Sequence, residues 1–351
     1  MPTPSSFAIA GAGLAGSLLA WRLLETANRP IRVTLFEKGD LSQPRSAAYT
    51  AAAMISPLSE VVVSERAIYD MGMHSLQLWP KWLSTLNQHS AKPVLYNNQG
   101  SLVVAHPSDE SELEQFAQDL RYHLGDSNTA QWLNRNELTT YEPDLNPHFN
   151  RGLLLPDEAF LDNRQLLHNL HQRIIALGGS IQDNTSITFT PEPQREGRPL
   201  AGYDCTIDAR GTGAKQSQAV RGVRGEVLWV QTPEVTLKHA VRLMHPRYKL
   251  YIVPKPNNSF IVGATEIESQ DSSPVSVQSM MELCSALYTL NPAFAEARII
   301  ELDANLRPSY MDNMPAITWH KSGNSVSING LYRHGYLLAP HLIENLLGQL
   351  S

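Results

Sequence analysis

The N-terminal segment 8–38 constrains the fold of this chain more than any other part of it. The run AIAGAGLAG at 8–16 is followed by apolar residues at helical spacing and then by IRVTLFEK at 31–38. This order predicts a strand, a glycine turn, a helix and a second strand that ends in the acid Glu37. Such a unit belongs in a parallel sheet with helices packed on its faces.

The three glycines of this turn have separate mechanical roles. Gly11 permits the tight turn out of the strand, Gly13 lets the backbone approach a pyrophosphate, and Gly16 lets the helix pack closely on the sheet. Phosphates then lie at the helix N-terminus, where unpaired N–H groups and the helix dipole favour anions. Glu37 follows the last glycine by about twenty residues, which suits an acceptor for ribose hydroxyls. The segment therefore predicts a dinucleotide site.

A secretory signal is the alternative interpretation, because residues 7–20 are almost continuously apolar. The preceding MPTPSS carries no Lys or Arg, and a strand that ends in an acid follows in phase. Signal peptides have a basic start and no such continuation. The pattern therefore favours the nucleotide site.

Composition narrows the class of protein. A chain of 351 residues can hold two domains, or one domain with an insertion. Its net charge of −6 gives no basic field for nucleic acid or an anionic membrane. Nothing beyond the N-terminus approaches the roughly twenty apolar residues of a spanning helix, so we expect no stable membrane association. Cys205 and Cys284 form no CxxC pattern, which favours a reducing, cytoplasmic location.

Two polar clusters have ordinary interpretations. His168 and His171 lie three apart on a predicted helix, and no nearby Cys, Asp or Glu completes a ligand set. We expect a solvated helix face there and no metal site. A basic cluster near the middle of the chain is interpreted as a solvated strand edge or loop. It consists of Arg242, His245, Arg247 and Lys249.

The rest of the chain alternates between two kinds of pattern. Helical spacing predicts helices at 64–86, 108–120 and about 275–290, the second with Ser111 and Glu114 as a capping box, and a short last helix. The strand CTIDA at 205–209 stops at a glycine turn. Residues 223–265 alternate short apolar runs with turn residues, which predicts an antiparallel sheet. We therefore expect a discontinuous nucleotide domain with a second domain inserted through it.

One further segment, YTAAAMISP at 49–57, is unusually rich in small side chains. Small side chains let the backbone approach something flat or large, although tight packing of a helix on a sheet is an alternative.

The order of these motifs resembles that of flavin-dependent amine oxidases of the D-amino-acid oxidase group, and most closely the glycine oxidase of thiamine biosynthesis. The motifs that carry the resemblance are GAGLAG with Glu37, AAAM, LLLPDEAFLDNRQLL at 153–167, IDARG, VRGEVL, LYIVP with VGATE, LRPSYMDNMP and LYRHGYLLAP. The resemblance implies an α/β fold, with an FAD-binding Rossmann-type domain of the glutathione-reductase kind and an inserted antiparallel-sheet substrate domain. The predicted FAD domain comprises 1–85, 150–222 and 302–351, and the predicted substrate domain comprises 86–149 and 223–301.

The resemblance also implies that the dinucleotide is FAD. We expect non-covalent binding, because no cysteine stands where the related sarcosine oxidases attach their flavin. The residues that the family's motifs assign to FAD run from the glycine turn to the C-terminal segment. They are Gly11, Gly13, Leu14, Ala15, Gly16, Glu37, Lys38, Ala47, Ala48, Ala52, Ala53, Met54, Ile187, Leu331, Tyr332, His334, Gly335, Tyr336 and Leu337.

Three residues match the family's substrate positions. Arg307, in LRPS, corresponds to the arginine that binds the substrate carboxylate, and an arginine fork suits that role. Tyr251, in LYIVP, corresponds to a tyrosine whose hydroxyl shares that carboxylate. Arg333, in YRHG, corresponds to a position whose main-chain carbonyl can accept from the amine. Without the motif order, an Arg–Pro turn and a half-buried tyrosine would be read as structural.

The implied reaction is oxidation of a small amino acid, first glycine and then sarcosine or small D-amino acids, by hydride transfer to the flavin. It yields an imine or glyoxylate, ammonia and hydrogen peroxide, and requires no acid or base from the protein. The family also implies a link to thiazole synthase. Alternatives are a D-amino-acid dehydrogenase with a non-oxygen acceptor, a tRNA-modifying flavoenzyme and a flavin-holding protein without turnover. The oligomeric state stays open.

Two positions depart from the family pattern. Glu266, in VGATEIE, stands where some relatives have a methionine near the substrate. An acid that faced the pocket would attract an ammonium group or repel a carboxylate, but strand alternation predicts that Glu266 points to solvent. His334 stands where relatives often have asparagine. Both changes leave the choice of substrate open.

Overall fold

The computed structural model describes residues 5–190, 192–245, 249–320 and 323–350. Arg247 and the side chain of Lys249, two members of the predicted basic cluster, lie outside this description.

The helices and strands follow in chain order. The α-helices of the described residues are α1 Leu14–Thr26, α2 Ala47–Thr50, α3 Pro57–Val61, α4 Arg66–Asn87, α5 Glu110–Leu124, α6 Arg135–Tyr141, α7 Asn163–Ala176, α8 Val277–Leu290 and α9 Gly335–Leu350. The strands are β1 Ser6–Ala10, β2 Arg32–Phe36, β3 Met54–Ile55, β4 Tyr96–Asn97, β5 Ser101–Ala105, β6 Gln131–Asn134, β7 Arg151–Leu155, β8 Ala159–Leu161, β9 Ser180–Gln182, β10 Ile187–Phe189, β11 Pro193–Arg195, β12 Arg198–Pro199, β13 Cys205–Asp208, β14 Arg221–Gln231, β15 Ala240–Met244, β16 Lys249–Lys255, β17 Ser259–Gly263, β18 Arg298–Ser309, β19 Ala316–Trp319 and β20 Ser325–Asn329.

The first sheet is built around the N-terminal strand. Its order is β19-β20-β13-β1-β2-β9, and all neighbours are parallel except the edge pair β19–β20. Helices α1, α7 and α9 pack together beside it, with Leu18 and Trp21 of α1 fully buried. The glycine turn after β1 and the turn after β13 therefore meet at the carboxyl edge of the sheet, where ligands of such folds bind.

The second sheet is mostly antiparallel, as the alternating pattern of 223–265 predicts. Its order is β18-β14-β17-β16-β15-β5-β7-β6, with β15 and β5 as its parallel pair. Helix α8 covers one face through Leu283 and Leu287. The opposite face carries Val227 and Trp229, which pack with Ala52 and Phe160. The predicted α/β fold with an antiparallel second sheet is confirmed.

Three details depart from the sequence pattern. Helix α5 begins at Glu110 with no side-chain cap, so the predicted Ser111–Glu114 capping box is wrong. A capping box occurs instead at Asn134 and Glu137, at the start of α6. The last helix, predicted to be short, has 16 residues. Its burial against α1 and α4 explains the extra length, because most helix stability comes from packing.

The two sheets divide the chain at points other than the predicted domain boundaries. Strand β7 and the whole of β18 pair within the second sheet. A division drawn from the sheets would move both strands into the substrate domain, and the domain limits stay a prediction. Among the described residues, no helix combines the length and the apolar composition needed to span a bilayer.

Candidate cofactor and substrate site

A cavity of about 1390 Å³ lies between the carboxyl edge of the first sheet and the face of the second sheet that carries Val227 and Trp229. Its wall brings together segments that lie far apart in sequence, from the glycine turn to the C-terminal LYRHGYLL run. The predicted FAD residues on this wall are Gly13, Leu14, Ala15, Glu37, Lys38, Ala47, Ala48, Ala52, Ala53, Met54, Leu331, Tyr332, His334, Gly335, Tyr336 and Leu337. The predicted substrate residues Tyr251, Arg307 and Arg333 lie on the same wall.

Two glycines of the turn are required by the protein itself. Gly11 has a φ of +102°, and a Cβ there would lie 2.5 Å from the Ala209 carbonyl oxygen. A Cβ on Gly16 would overlap the carbonyl oxygen of Gly11. Gly13 differs, because the nearest atom to a Cβ there is the Ser46 Cβ at 3.7 Å. The close approach at Gly13 is therefore open to a ligand.

The start of α1 is suited to an anion. Gly13 is its N-cap and contributes no side-chain hydrogen bond, and no acid stands in the first turn. The backbone N–H groups of Leu14 and Ala15 thus open into the cavity with the positive end of the helix dipole.

Glu37 connects this turn to the next. Its Oε2 accepts a hydrogen bond from the Ala12 N–H at 2.8 Å, and its Oε1 accepts from the Gly39 N–H at 3.1 Å. Each carboxylate oxygen retains a lone pair for a further donor. Glu37 can therefore fix the turn and accept from ribose hydroxyls at once.

The small-residue segment 47–54 is held in place by hydrogen bonds to its backbone carbonyls. The Ala48 carbonyl accepts from the Tyr336 hydroxyl at 2.8 Å and from Asn163 Nδ2 at 3.0 Å. The buried Lys255 Nζ donates to the carbonyls of Ala52 at 2.8 Å and Leu161 at 2.6 Å. Burial lowers the pKa of Lys255 to about 7. The segment is therefore fixed by its backbone, which leaves its methyl groups to contact a flat ligand.

The C-terminal segment completes the wall. Tyr332 has a φ of +51°, and α9 begins at Gly335, next to Leu14 in space. Trp79 Nε1 donates to the Tyr336 carbonyl at 2.8 Å and fixes the first turn of α9. The start of α9 thus opens on the same cavity.

These features fit FAD. The open α1 N-terminus suits the pyrophosphate, Glu37 suits the ribose, and the alanine segment with the start of α9 suits a planar ring system. Three of the predicted FAD residues do not line the cavity: Gly11 and Gly16, which shape the turn, and Ile187. Ile187 is buried in β10, away from the cavity wall, and its carbonyl accepts from Arg210 Nη1 at 3.0 Å.

Arg307 reaches the cavity across a neighbouring strand. It lies on β18, and its guanidinium donates to the carbonyls of Arg224 at 3.2 Å and Thr265 at 2.9 Å. A Cβ on Gly225 would lie 2.5 Å from the Arg307 Cζ, so the glycine provides the space that the guanidinium occupies. Two of the five N–H donors are used for positioning, and the others can bind a carboxylate.

Tyr251 lies on the same face of the second sheet. It is the register partner of Arg242 on β15 and of Gly263 on β17. A Cβ on Gly263 would lie 3.1 Å from the Tyr251 hydroxyl. Burial raises the pKa of Tyr251, so the hydroxyl stays protonated and can donate to a carboxylate.

The Arg333 side chain is engaged by two acids. Its Nε pairs with Glu60 Oε2 at 3.0 Å and its Nη1 with Glu266 Oε2 at 2.9 Å. Burial lowers the pKa of Arg333, but the two carboxylates outweigh burial and raise this pKa above its ordinary value. The buried His334 lies 3.4 Å from Glu60 through Nδ1, and burial lowers the pKa of its imidazole. The side chain of Arg333 is therefore fixed, and its main-chain carbonyl remains for the predicted role.

Glu266, predicted to point to solvent, is partly exposed but also faces the cavity. Its side chain is 47% exposed, yet it lines the cavity and accepts from the Tyr332 hydroxyl at 2.6 Å. Strand β17 ends at Gly263, so the strand alternation does not extend to Glu266. Burial alone would raise the pKa of Glu266, but Tyr332 and Arg333 bring it below its usual value.

Two other interpretations are corrected by the fold. Arg242, predicted to be solvated, is 17% exposed and lines the cavity beside Tyr251, because β15 is an inner strand of its sheet. His171, predicted on a solvated face, is half-buried and lies 3.0 Å from Ser17 Oγ through Nε2, beneath the glycine turn. Among the described residues, no group of three or more His, Cys, Asp or Glu side chains could hold a metal ion.

Several wall residues carried no sequence signal for a site. Gly225, Arg242 and Lys255 reach the cavity through strand order and register, and Glu60 reaches it from α3. Gly225 lies in the family motif VRGEVL and Lys255 directly follows LYIVP, but neither motif predicts what these two residues face.

Comparison with known proteins agrees with this geometry. The family described as FAD dependent oxidoreductase (DAO) matches residues 6–344. A Rhizobium etli protein that carries the name thiamine biosynthesis oxidoreductase ThiO is 37% identical over 97% of this chain and 94% of its own. A Synechocystis protein named bifunctional protein ThiO/ThiG is 27% identical over 97% of this chain and 50% of its own.

A solved structure shares the fold. The crystal structure of glycine oxidase from Geobacillus kaustophilus matches with a TM-score of 0.83 and 24% identity, and covers 99% of this chain and 94% of that one. The fold and the cavity define a dinucleotide-dependent oxidoreductase. The chain belongs to the D-amino-acid oxidase (DAO) family of FAD-dependent oxidoreductases, and its cofactor is FAD.

Proposed function

We propose that this enzyme oxidises the Cα–N bond of glycine, and of sarcosine and small D-amino acids, with oxygen as the electron acceptor. The observation that carries the proposal is the joint placement of Arg307 and Tyr251 on one sheet face, at the cavity that also holds the predicted FAD residues. A cation and a neutral hydroxyl on the wall of one cavity suit the carboxylate of an amino acid.

The carboxylate fixes the orientation of the substrate. In our proposal it binds the unused donors of Arg307 and the hydroxyl of Tyr251, while the main-chain carbonyl of Arg333 accepts from the amine. These three contacts hold both ends of a small molecule and so set the direction of its Cα–H bond. Positioning of this kind increases the rate because the reacting atoms are already aligned.

FAD supplies the redox chemistry when bound, since it accepts a hydride and its two electrons are returned to oxygen as hydrogen peroxide. The protein must hold the amine in its neutral form while Cα–H breaks. Turnover is therefore expected to rise with pH as the bound ammonium loses its proton. The negative charge of Glu266 is offset by Arg333, so it does not repel the carboxylate strongly.

The product is an imine, which water converts to glyoxylate and ammonia. We propose that in the cell the imine serves thiazole formation in thiamine biosynthesis. The names of the Rhizobium and Synechocystis relatives support this, the second because one chain there joins ThiO to ThiG. Supplying a thiazole synthase with its other substrates should then lower the glyoxylate released per peroxide formed. Equal yields of the two products would contradict the link.

The test of the reaction is anaerobic flavin reduction across glycine, sarcosine, D-alanine and larger amines, followed by peroxide measurement in air. We expect bleaching with the small amines and peroxide equal to amine consumed. Turnover that requires an artificial acceptor would show that the enzyme is a dehydrogenase and not an oxidase. Retained FAD without bleaching by any amine, or salt-sensitive binding of transfer RNA, would overturn the proposal.

A further inference from the structure

Arg242 is a cation that is mostly but not fully buried, with 17% of its side chain exposed, and its hydrogen-bond donors are unused within the described residues. It lies on β15, and its guanidinium makes no hydrogen bond with any residue in 5–190, 192–245, 249–320 or 323–350. Its Nε is shielded from solvent, and the nearest carboxylate oxygen in those ranges is Glu158 Oε2, at 4.0 Å. A buried donor without an acceptor costs free energy, and an acceptor on a bound ligand would recover it.

The neighbouring acids have other partners. Glu158 accepts from the Ser59 N–H through Oε1 at 2.7 Å and from the Ser101 hydroxyl through Oε2 at 2.5 Å. Glu60 is bound by Arg333 at 3.0 Å. These contacts hold both carboxylates away from Arg242, so its charge is balanced at a distance while its hydrogen-bonding capacity is not used.

The fold places Arg242 opposite Arg307 across the proposed substrate position. In the sheet order β18-β14-β17-β16-β15, Arg307 lies on the first strand, Tyr251 on the fourth and Arg242 on the fifth. All three line the cavity. A substrate carboxylate held by Arg307 and Tyr251 would therefore leave Arg242 free for a second anionic group on the far side of the tyrosine.

We propose that Arg242 is a second carboxylate subsite, and that the substrate class extends to amino acids with two carboxylates. The second carboxylate can belong to an N-carboxymethyl group, as in iminodiacetate, or to a short side chain, as in D-aspartate. This inference rests on the proposed function, because Arg307 is taken to hold the first carboxylate.

The direct test uses binding of ligands that cannot be oxidised. The holoenzyme is titrated with acetate, malonate and succinate, and the change in flavin absorbance reports occupancy. We expect a dicarboxylate to bind about ten- to a hundred-fold more tightly than acetate, as for hydrogen bonds to a charged group. The better of malonate and succinate reports the spacing of the two anchors.

Three variants make the result specific. Arg242→Met should abolish the preference for the dicarboxylate, and Arg242→Lys should restore part of it, because a charge without the fork remains. Arg298→Met removes an exposed arginine of β18 outside the cavity and should leave the preference unchanged. FAD content shows that each variant is folded. A preference that survives in folded Arg242→Met, or acetate binding that weakens as much as dicarboxylate binding, would overturn the inference.

A second measurement compares substrates. In Arg242→Met, the ratio of kcat/KM for iminodiacetate or D-aspartate to kcat/KM for glycine should fall. The expected decrease equals the loss of dicarboxylate preference measured in the titrations. If glycine reduces the flavin but the dicarboxylate preference is unchanged in Arg242→Met, this inference alone fails. If no amine reduces the flavin, the proposed function fails, and the titrations still decide whether Arg242 binds a carboxylate.

Discussion

The guanidinium of Arg307 occupies the space beside the Cα of Gly225 on the neighbouring strand, where a Cβ would lie 2.5 Å from the Arg307 Cζ. The strands β14 and β18 pair over most of their length, so neither backbone can move aside. The position of the proposed carboxylate anchor is therefore set by the absence of a side chain on another strand.

Gly225→Ala should displace the Arg307 guanidinium and lower kcat/KM for glycine by about a hundred-fold, as expected for a misplaced anchor. FAD content should stay normal, because residue 225 touches the substrate end of the cavity. Gly222→Ala is the matched control on the same strand, since a Cβ there meets the Leu306 side chain at 3.1 Å and not Arg307. Equal kinetics in the two variants would contradict the role of Gly225.

Arg307→Ala should weaken glycine binding by about 2–5 kcal/mol, which is about thirty-fold to several-thousand-fold in affinity. The loss arises because the carboxylate would remain desolvated without its partner. The apparent Kd for glycine in anaerobic flavin reduction measures it, with exposed Arg298→Ala on the same strand as control. A near-normal affinity would remove Arg307 from the anchor role.

Tyr251→Phe removes one hydrogen bond to a charged group and should weaken acetate binding by about ten- to a hundred-fold. Burial raises the pKa of Tyr251, so the wild-type affinity should show no decrease assigned to this hydroxyl up to pH 10. A fall in affinity below pH 10 that disappears in Tyr251→Phe would show that the hydroxyl ionises earlier than its burial implies.

Gly16→Ala should abolish FAD retention, because the new Cβ would overlap the Gly11 carbonyl oxygen and open the turn at the start of α1. Gly348→Ala, also in a helix, has no atom within 4 Å of its added Cβ. It should keep FAD and stabilise α9 by up to about 1 kcal/mol. The ratio of flavin to protein absorbance after gel filtration distinguishes the two. Full FAD content in Gly16→Ala would show that FAD still binds when α1 lies farther from the glycine turn.

Lys255 should make stability depend on pH. Burial lowers its pKa to about 7 from an ordinary 10.5, so between these values the unfolded chain binds more protons than the folded one. The free energy of unfolding of the wild type should therefore gain a contribution that is absent below pH 7 and grows as pH rises toward 10.5.

Lys255→Met should lack that rise, and it should lose the contacts to the carbonyls of Ala52 and Leu161. Urea unfolding of both proteins at saturating FAD, between pH 6.5 and 9.5, measures the difference. Parallel pH profiles would mean that Lys255 stays charged in its site.

The glycine turn illustrates what could be predicted from sequence. Gly16 and Glu37 act within one β–α–β unit, so their spacing alone predicts the geometry. Arg307 and Tyr251 were predicted through the order of family motifs, and the structure brings them to one cavity.

Arg242 shows where that reasoning ends. The sequence grouped Arg242 with His245, Arg247 and Lys249 as a solvated edge or loop, but β15 lies between β16 and β5 inside an eight-stranded sheet. Glu266 shows the same limit, because the strand that would have turned it to solvent ends three residues earlier. Burial depends on strand order and on element ends, which local patterns do not encode.

The sequence by itself determined that a dinucleotide binds to a parallel-sheet unit, because that follows from a short motif whose geometry is local. The order of the family motifs along the chain pointed to FAD and to the α/β fold. Only the tertiary structure decided which charges meet at the substrate end of the cavity. The pairing of Arg333 with Glu60 and Glu266, the space at Gly225 and the unused donors of Arg242 each join residues from separate strands and loops. The energy of an electrostatic contact depends on the distance between the two charged groups, and that distance is fixed only when both sheets are assembled.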